Sequence, residues 1–205
     1  SGTSIADASG NGNTGTATGT TVTTGKFNNA RSFNGGSDYI HISNSPELEP
    51  QDITIEAWIY VDSSITPETY GVIIDKAYIS HTSPYYDYHI RISSIDSKSD
   101  IYYSFNGGGN SLLTDAITSD EWHYIAATYD GSTRKFYIDG KVVDSVSGGT
   151  SLTYYQQGVY IGTFKNLTTG NFPGLIDEVR ISNVARTAEE IKADAQKRTY
   201  GVYTS

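Results

Sequence analysis

The sequence predicts an all-β sandwich: a jelly roll of two antiparallel sheets packed face to face, with one short C-terminal helix. Three observations predict it. Short alternating segments recur at roughly ten-residue spacing with Gly, Asp and Asn clusters between them. The stretch 121–146, EWHYIAATYDGSTRKFYIDGKVVDSV, holds three such runs split by two Asp-Gly turns. Gly tolerates the positive φ that tight hairpin turns demand, so this stretch reads as a three-stranded meander. Only residues 187–197 look helical: Thr187 can N-cap, Glu190 completes a capping box, and Ile191 and Ala195 share a face.

Taken in order, residues 1–26 read as a long polar loop rich in Gly, Ser, Thr, Asn and Ala that enters a Thr/Val strand at 20–24. A strand and turn follow at 30–36, then an alternating strand at 38–42. Pro46 and Pro50 bracket a connection. The strongest strand pattern is ITIEAWIYV, 53–61, with Ile53, Ile55, Ala57, Ile59 and Val61 on one face. Residues 70–76 form another strand, 77–88 a loop opening into a strand at 88–92, and 101–105 and 111–117 two more around a Gly-rich turn. Beyond the meander, 158–162 and 175–181 complete the β-elements. No Gly/Pro linker divides the chain and no internal repeat is present, so residues 1–205 read as one domain.

A chain of 205 residues can bury a substantial core without staples. Its formal net charge of −9, from 14 Lys and Arg against 23 Asp and Glu, opposes binding to nucleic acid and to anionic membrane surfaces. Cysteine is absent, which removes disulfides, thiolate catalysis and Cys zinc sites. Met is absent even at position 1, so the expectation is a domain cut from a longer polypeptide. No apolar run approaches the ~18 residues of a membrane-spanning helix.

Four stretches carry a family resemblance: DASGNGNTG at 7–15, ITIEAWIYV at 53–61, the Trp122-to-Gly140 hairpins, and FPGLIDEVRISNVARTAEEI at 172–191. Together they resemble the LamG-like jelly rolls of the concanavalin A-like lectin/glucanase group. The resemblance is colinear over about residues 3–195 and implies the fold; function has to be argued from sites. Family members usually open with an aromatic and acidic strand that this chain lacks, and the tail at 199–203 is one candidate to replace it at the sheet edge.

The resemblance implies a structural calcium ion held by Asp7, Asn11 and Asn13, with Asp177 approaching across the sandwich. Oxygen-rich loops suit this cation; the alternative is that Asp7 and Asn11 make Asx turns and that Asp177 and Glu178 face solvent or pair with Arg180. A glycan surface is the second expectation, because sugars stack on aromatic faces edged by polar side chains. Tyr78, His81, Tyr85, Tyr86, Asp87 and His89 crowd one segment; Tyr154 and Tyr155 with Gln156 and Gln157 form a second cluster, and Asn166 with Asn171 a third. Against this, β-proteins use Tyr heavily for cross-strand packing. Catalysis is not expected. The closely spaced carboxylates that glucanases of this group need are absent, Glu47 and Glu49 sit beside Pro46 and Pro50 in a loop, Glu189 and Glu190 lie on the helix, and no nucleophile elbow is present. Trp58, Trp122 and His123 read as structural. Asn166-Leu167-Thr168 is a glycosylation sequon, a weak signal. The expectation is a non-catalytic carbohydrate-binding or adhesion module of a larger extracellular or cell-surface protein, its partner a glycan or surface polysaccharide. The alternative is a spacer or a protein-binding module.

Overall fold

A computed structural model of the chain describes residues 3–65, 70–77, 86–93, 98–106, 111–165 and 167–197. Along them run strands β1 (Ser4–Ile5), β2 (Gly15–Thr18), β3 (Thr21–Thr24), β4 (Asn29–Asn34), β5 (Tyr39–Ile42), β6 (Ile53–Val61), β7 (Tyr70–Ala77), β8 (Tyr86–Ser93), β9 (Lys98–Phe105), β10 (Ser111–Thr118), β11 (Trp122–Tyr129), β12 (Thr133–Ile138), β13 (Lys141–Ser147), β14 (Val159–Ile161) and β15 (Pro173–Ser182), then helix α1 (Ala188–Ala195). They form two antiparallel sheets. One has eight strands in the order β1-β2-β5-β14-β7-β8-β9-β10; the other has seven, β13-β12-β11-β6-β15-β4-β3. The architecture is the expected jelly-roll sandwich.

Period-two alternation explains the packing. Ile53, Ile55, Ala57, Ile59 and Val61 of β6 all enter the core, where they meet Ile74, Ile90, Ile92, Ile101, Tyr103 and Phe105 of the eight-stranded sheet. The other face of β6 is also covered. There Trp58, Tyr124, Ala126 and Tyr137 pack under Ile191 of α1. Phe27, from the β3–β4 turn, meets the Trp58 ring edge-on at 5.9 Å, and the Lys26 ammonium lies 4.2 Å above it. The helix begins as expected: the Thr187 hydroxyl accepts from the Glu190 N–H, and the Glu190 carboxylate accepts from the Thr187 N–H.

Two expectations are corrected, and a third falls outside the described residues. The polar stretch 1–26 contains two strands, β1 and β2, ahead of the expected β3; β2 buries only Gly15 and Ala17 while Thr16 and Thr18 face out, too little apolar surface to register as alternation. The strand expected at 88–92 starts at Tyr86, so Tyr86 and Asp87 lie in β8 and not in a loop. The outermost described strand of the eight-stranded sheet on that side is β1; the tail proposed to complete the edge lies outside the described residues.

Candidate functional site

The face of the eight-stranded sheet that points away from the core carries a row of polar and aromatic side chains. Register links Thr16 of β2, His41 of β5, Tyr160 of β14, Asp75 of β7, His89 of β8 and Ser104 of β9 in one line across six strands. Their strand neighbours Ile40, Val159, Ile161, Ile74, Ile90, Tyr103 and Phe105 point into the core. The sequence dictates this locally, since Tyr39-Ile40-His41-Ile42 and Val159-Tyr160-Ile161 alternate strictly.

The row divides into three parts. At one end, Tyr39, His41 and Tyr160 form a half-exposed aromatic platform, with the Tyr160 ring 4.7 Å from His41 and 6.5 Å from Tyr39. Burial lowers the pKa of His41, so its ring is neutral at physiological pH. The Lys165 ammonium holds Gln157 Oε1 at 2.5 Å, and the Lys165 N–H donates to Asp75 Oδ2 at 3.2 Å. In the middle the loop after β14 folds over the sheet. Gly170, at φ +75, brings its carbonyl to the Val72 N–H at 2.8 Å, a backbone shape that an L side chain rarely adopts. This lays Phe164 near-parallel to His89, at 5.2 Å, and buries Asp75 and His89 completely. His89 Nδ1 stands 3.3 Å from Asp75 Oδ1, and burial lowers the His89 pKa against the pull of that carboxylate. At the far end, Tyr70, Arg91 and Tyr102 make a second half-exposed group.

The predicted sugar-binding residues fall differently. Tyr78, His81 and Tyr85 lie outside the described residues, as does Asn166. Tyr86 and His89 do come together, stacked at 4.3 Å, but His89 is buried and Tyr86 half-buried as part of the packing under Phe164. Tyr154 is a strut: its hydroxyl donates to the Pro50 carbonyl at 2.5 Å, and its ring meets Tyr88 edge-on at 6.4 Å. The Tyr155 N–H donates to Asp87 Oδ2 at 3.3 Å, and Asn171 is buried. Sequence reasoning missed Tyr39, Tyr160, Asp75 and Arg91. The signal that finds them is the outward phase of each alternating strand, which gives no hint of neighbours until strand order is known.

The predicted metal ligands, Asp7, Asn11, Asn13 and Asp177, all border one cleft of 1180 Å³. Oxygens of Asp7, Asn13 and Asp177 are already engaged locally, and the Asn11 N–H donates to the Ser9 hydroxyl at 3.3 Å. Asp7 accepts from the Ser9 N–H and hydroxyl, both at 2.8 Å, and from the Asn13 N–H at 2.9 Å; the Ser9 hydroxyl leads the contacts that lower its pKa. The Ser45 hydroxyl donates to Asn13 Oδ1 at 2.5 Å. Asp177 pins the β3–β4 turn, taking the Phe27 N–H at 2.9 Å and the Glu178 N–H at 2.8 Å. It shares a register position with Trp58, so it sits on the helix-covered side of its sheet. Among the described residues no group of three or more His, Asp or Glu is gathered as a metal site. The loop's donor types suit calcium, but its present hydrogen bonding makes an Asx turn.

Comparison with known proteins places this fold. Domain 4 of AbnA, an extracellular arabinanase of Geobacillus stearothermophilus solved with arabinotriose, superimposes with a TM-score of 0.71 at 20% identity, covering 93% of this chain and 92% of that one. The binding domain of Paraclostridial Mosquitocidal Protein 1 gives 0.68 at 17% identity, over 92% of this chain and 48% of that one. Among curated sequences, human pappalysin-1 is 26% identical over 190 residues. That match takes in 84% of this chain but only 11% of pappalysin-1. Residues 34–192 match the family model described as the concanavalin A-like lectin/glucanases superfamily, and the chain belongs to that superfamily.

Proposed function

We propose that this is a non-catalytic carbohydrate-binding module of an extracellular protein, and that it holds its ligand on the outer face of the eight-stranded sheet. The observation that carries the reading is the half-exposed platform of Tyr39, His41 and Tyr160 beside the Lys165 and Gln157 side chains. Aromatic faces accept the C–H faces of a sugar ring, and flanking amide and ammonium groups bond its hydroxyls. The similarity to an arabinanase domain solved with arabinotriose makes neutral oligosaccharides the first ligands to try.

Catalysis is disfavoured by the same row. Ser104, His89 and Asp75 stand in order across three strands, yet the Ser104 hydroxyl has no hydrogen-bond partner and all three residues are buried. A nucleophile needs both contact with its base and access to substrate.

A glycan array should show saturable binding to one glycan class, and Tyr160→Ala should weaken it about tenfold, the loss of one stacking contact of ~1.4 kcal/mol. A blank array would move the reading to a spacer or protein-binding module. The calcium ion belongs to the proposal too, held by Asp7, Asn11 and Asn13 with loop carbonyls. An ion bound only by the folded state raises stability, so chelation should lower the melting temperature by about 3 °C or more. An unchanged melt together with metal-free elemental analysis would remove the ion.

A further inference from the structure

We propose that Arg91 is an anion-recognition residue that reads the carboxylate of an acidic sugar, a uronic acid unit, on this same face. The inference rests on the glycan reading and narrows its ligand. Arg91 lies in β8, one row from His89, with Val72 opposite on β7 and Tyr102 opposite on β9. Its guanidinium is gripped between two rings, 4.0 Å from the Tyr70 centroid and 4.5 Å from that of Tyr102. The residue is half-buried, and its Nε is buried without a hydrogen-bond partner.

Among the described residues Arg91 and Arg134 both have a buried Nε without a hydrogen-bond partner, and Arg91 is the one whose guanidinium lies between two rings. Arg180 and Arg186, two cations on the seven-stranded sheet side, each have two carboxylates, Glu56 and Asp194. No carboxylate among the described residues lies within 4.0 Å of Arg91, although the chain carries 23 Asp and Glu. The nearest acids by register are already engaged: Asp75 faces His89 and the Lys165 N–H, and Asp100 accepts the Asp115 N–H at 2.9 Å. A partly desolvated cation without a counter-ion is unfavourable unless something else supplies the charge.

The chemistry selects a carboxylate. A planar guanidinium whose plane is fixed by stacking presents its N–H groups as a fork that matches the two oxygens of a carboxylate. The same two tyrosines offer ring edges and hydroxyls to the sugar that carries it. In a protein of net charge −9, a cation without a carboxylate beside it is a favourable place for an acidic glycan.

The test compares an oligogalacturonate trimer with its methyl ester by calorimetry. The acid should bind about tenfold or more tightly than the ester, and Arg91→Gln should abolish that difference, as expected for a charge-assisted bidentate pair. Rising salt should weaken only the acid. In the wild-type protein the Arg91 Nε–H resonance should shift with the acid and not with the ester, a readout that needs no variant to fold. Equal binding of acid and ester, or an Arg91→Gln variant that keeps the preference, would overturn the proposal while leaving the glycan reading intact. Binding of neither acid nor ester, with neutral sugars also blank, would overturn both.

Discussion

Glu56→Ala should destabilise the protein by about 3 kcal/mol and lower its melting temperature by roughly 10 °C, because it removes the buried carboxylate that two guanidinium groups and the Tyr124 hydroxyl share. Glu56 is 1% exposed, in the middle of β6. Its carboxylate takes Arg180 Nε at 2.7 Å, Arg186 Nη1 at 2.6 Å and the Tyr124 hydroxyl. Both arginines also reach Asp194 on α1, Arg186 at 2.6 Å, so Glu56 is the floor of the network that ties the helix to the seven-stranded sheet. Burial alone would raise the Asp194 pKa, but hydrogen bonds from Lys197, Arg186 and Arg180 outweigh it and hold it well below the usual carboxylate range. That contribution is present above the unfolded pKa and is lost as pH falls through the folded one. Removing Glu56 leaves two guanidinium groups facing one carboxylate and opens a void beneath Trp58 and Ile191. Glu56→Gln keeps the shape and one acceptor, so its melt should fall between the two. Equal melts for wild type and Glu56→Ala, followed by near-UV circular dichroism, would show that α1 is held by its apolar contacts alone.

This network was half legible in the sequence. The capping box and the apolar face of the helix are local patterns, and so are the meander and the inward face of β6. The partnership of Glu56 with Arg180, 124 residues away, is not, because it depends on β15 pairing with β6. The sequence alternative that paired Asp177 with Arg180 fails for a related reason. A bulge between Asp177 and Arg180, with Glu178 at φ +50, swings Arg180 to Glu56 and leaves Asp177 to the β3–β4 turn. The candidate binding face shows the same limit more sharply. Clusters of Tyr in sequence were the visible signal, and Tyr86 and Tyr154 proved to be packing residues. The exposed platform joins Tyr39 to Tyr160, which only the β5–β14 ladder brings together. Arg91 offered no motif at all; what marks it is an unpartnered Nε on a guanidinium held between two rings, and that is a property of the folded surroundings.

Asp87→Asn should stabilise the protein at pH 8, against the usual trend for substitutions of buried charges. Asp87 is 1% exposed at the end of β8. Burial raises its pKa to about 7, although the Tyr155 N–H and the nearby Lys76 ammonium oppose the rise. An unfolded Asp titrates near 3.9, so between about pH 4 and pH 7 the folded state holds a proton that the unfolded state has lost. Stability from this group is therefore present at low pH and falls as pH rises through that window. By pH 8 the folded protein carries the full penalty of an ionised buried carboxylate, on the order of 4 kcal/mol. Asn keeps the acceptor for Tyr155 and removes the penalty. The variant should melt several degrees above wild type at pH 8, with the gap closing towards pH 4. Lys76 decides whether this holds. Its side chain is fully buried, with the ammonium on Asn44 Oδ1, on the Gln157 carbonyl at 2.5 Å and on Glu49 Oε1 at 3.3 Å, and burial lowers its pKa against the pull of Glu49. These partners satisfy the ammonium without Asp87, which is why the carboxyl is free to be neutral. An Asp87→Asn protein less stable than wild type at pH 8 would mean the reverse: Asp87 ionised, and needed as the second counter-ion of a lysine that Glu49 alone cannot hold.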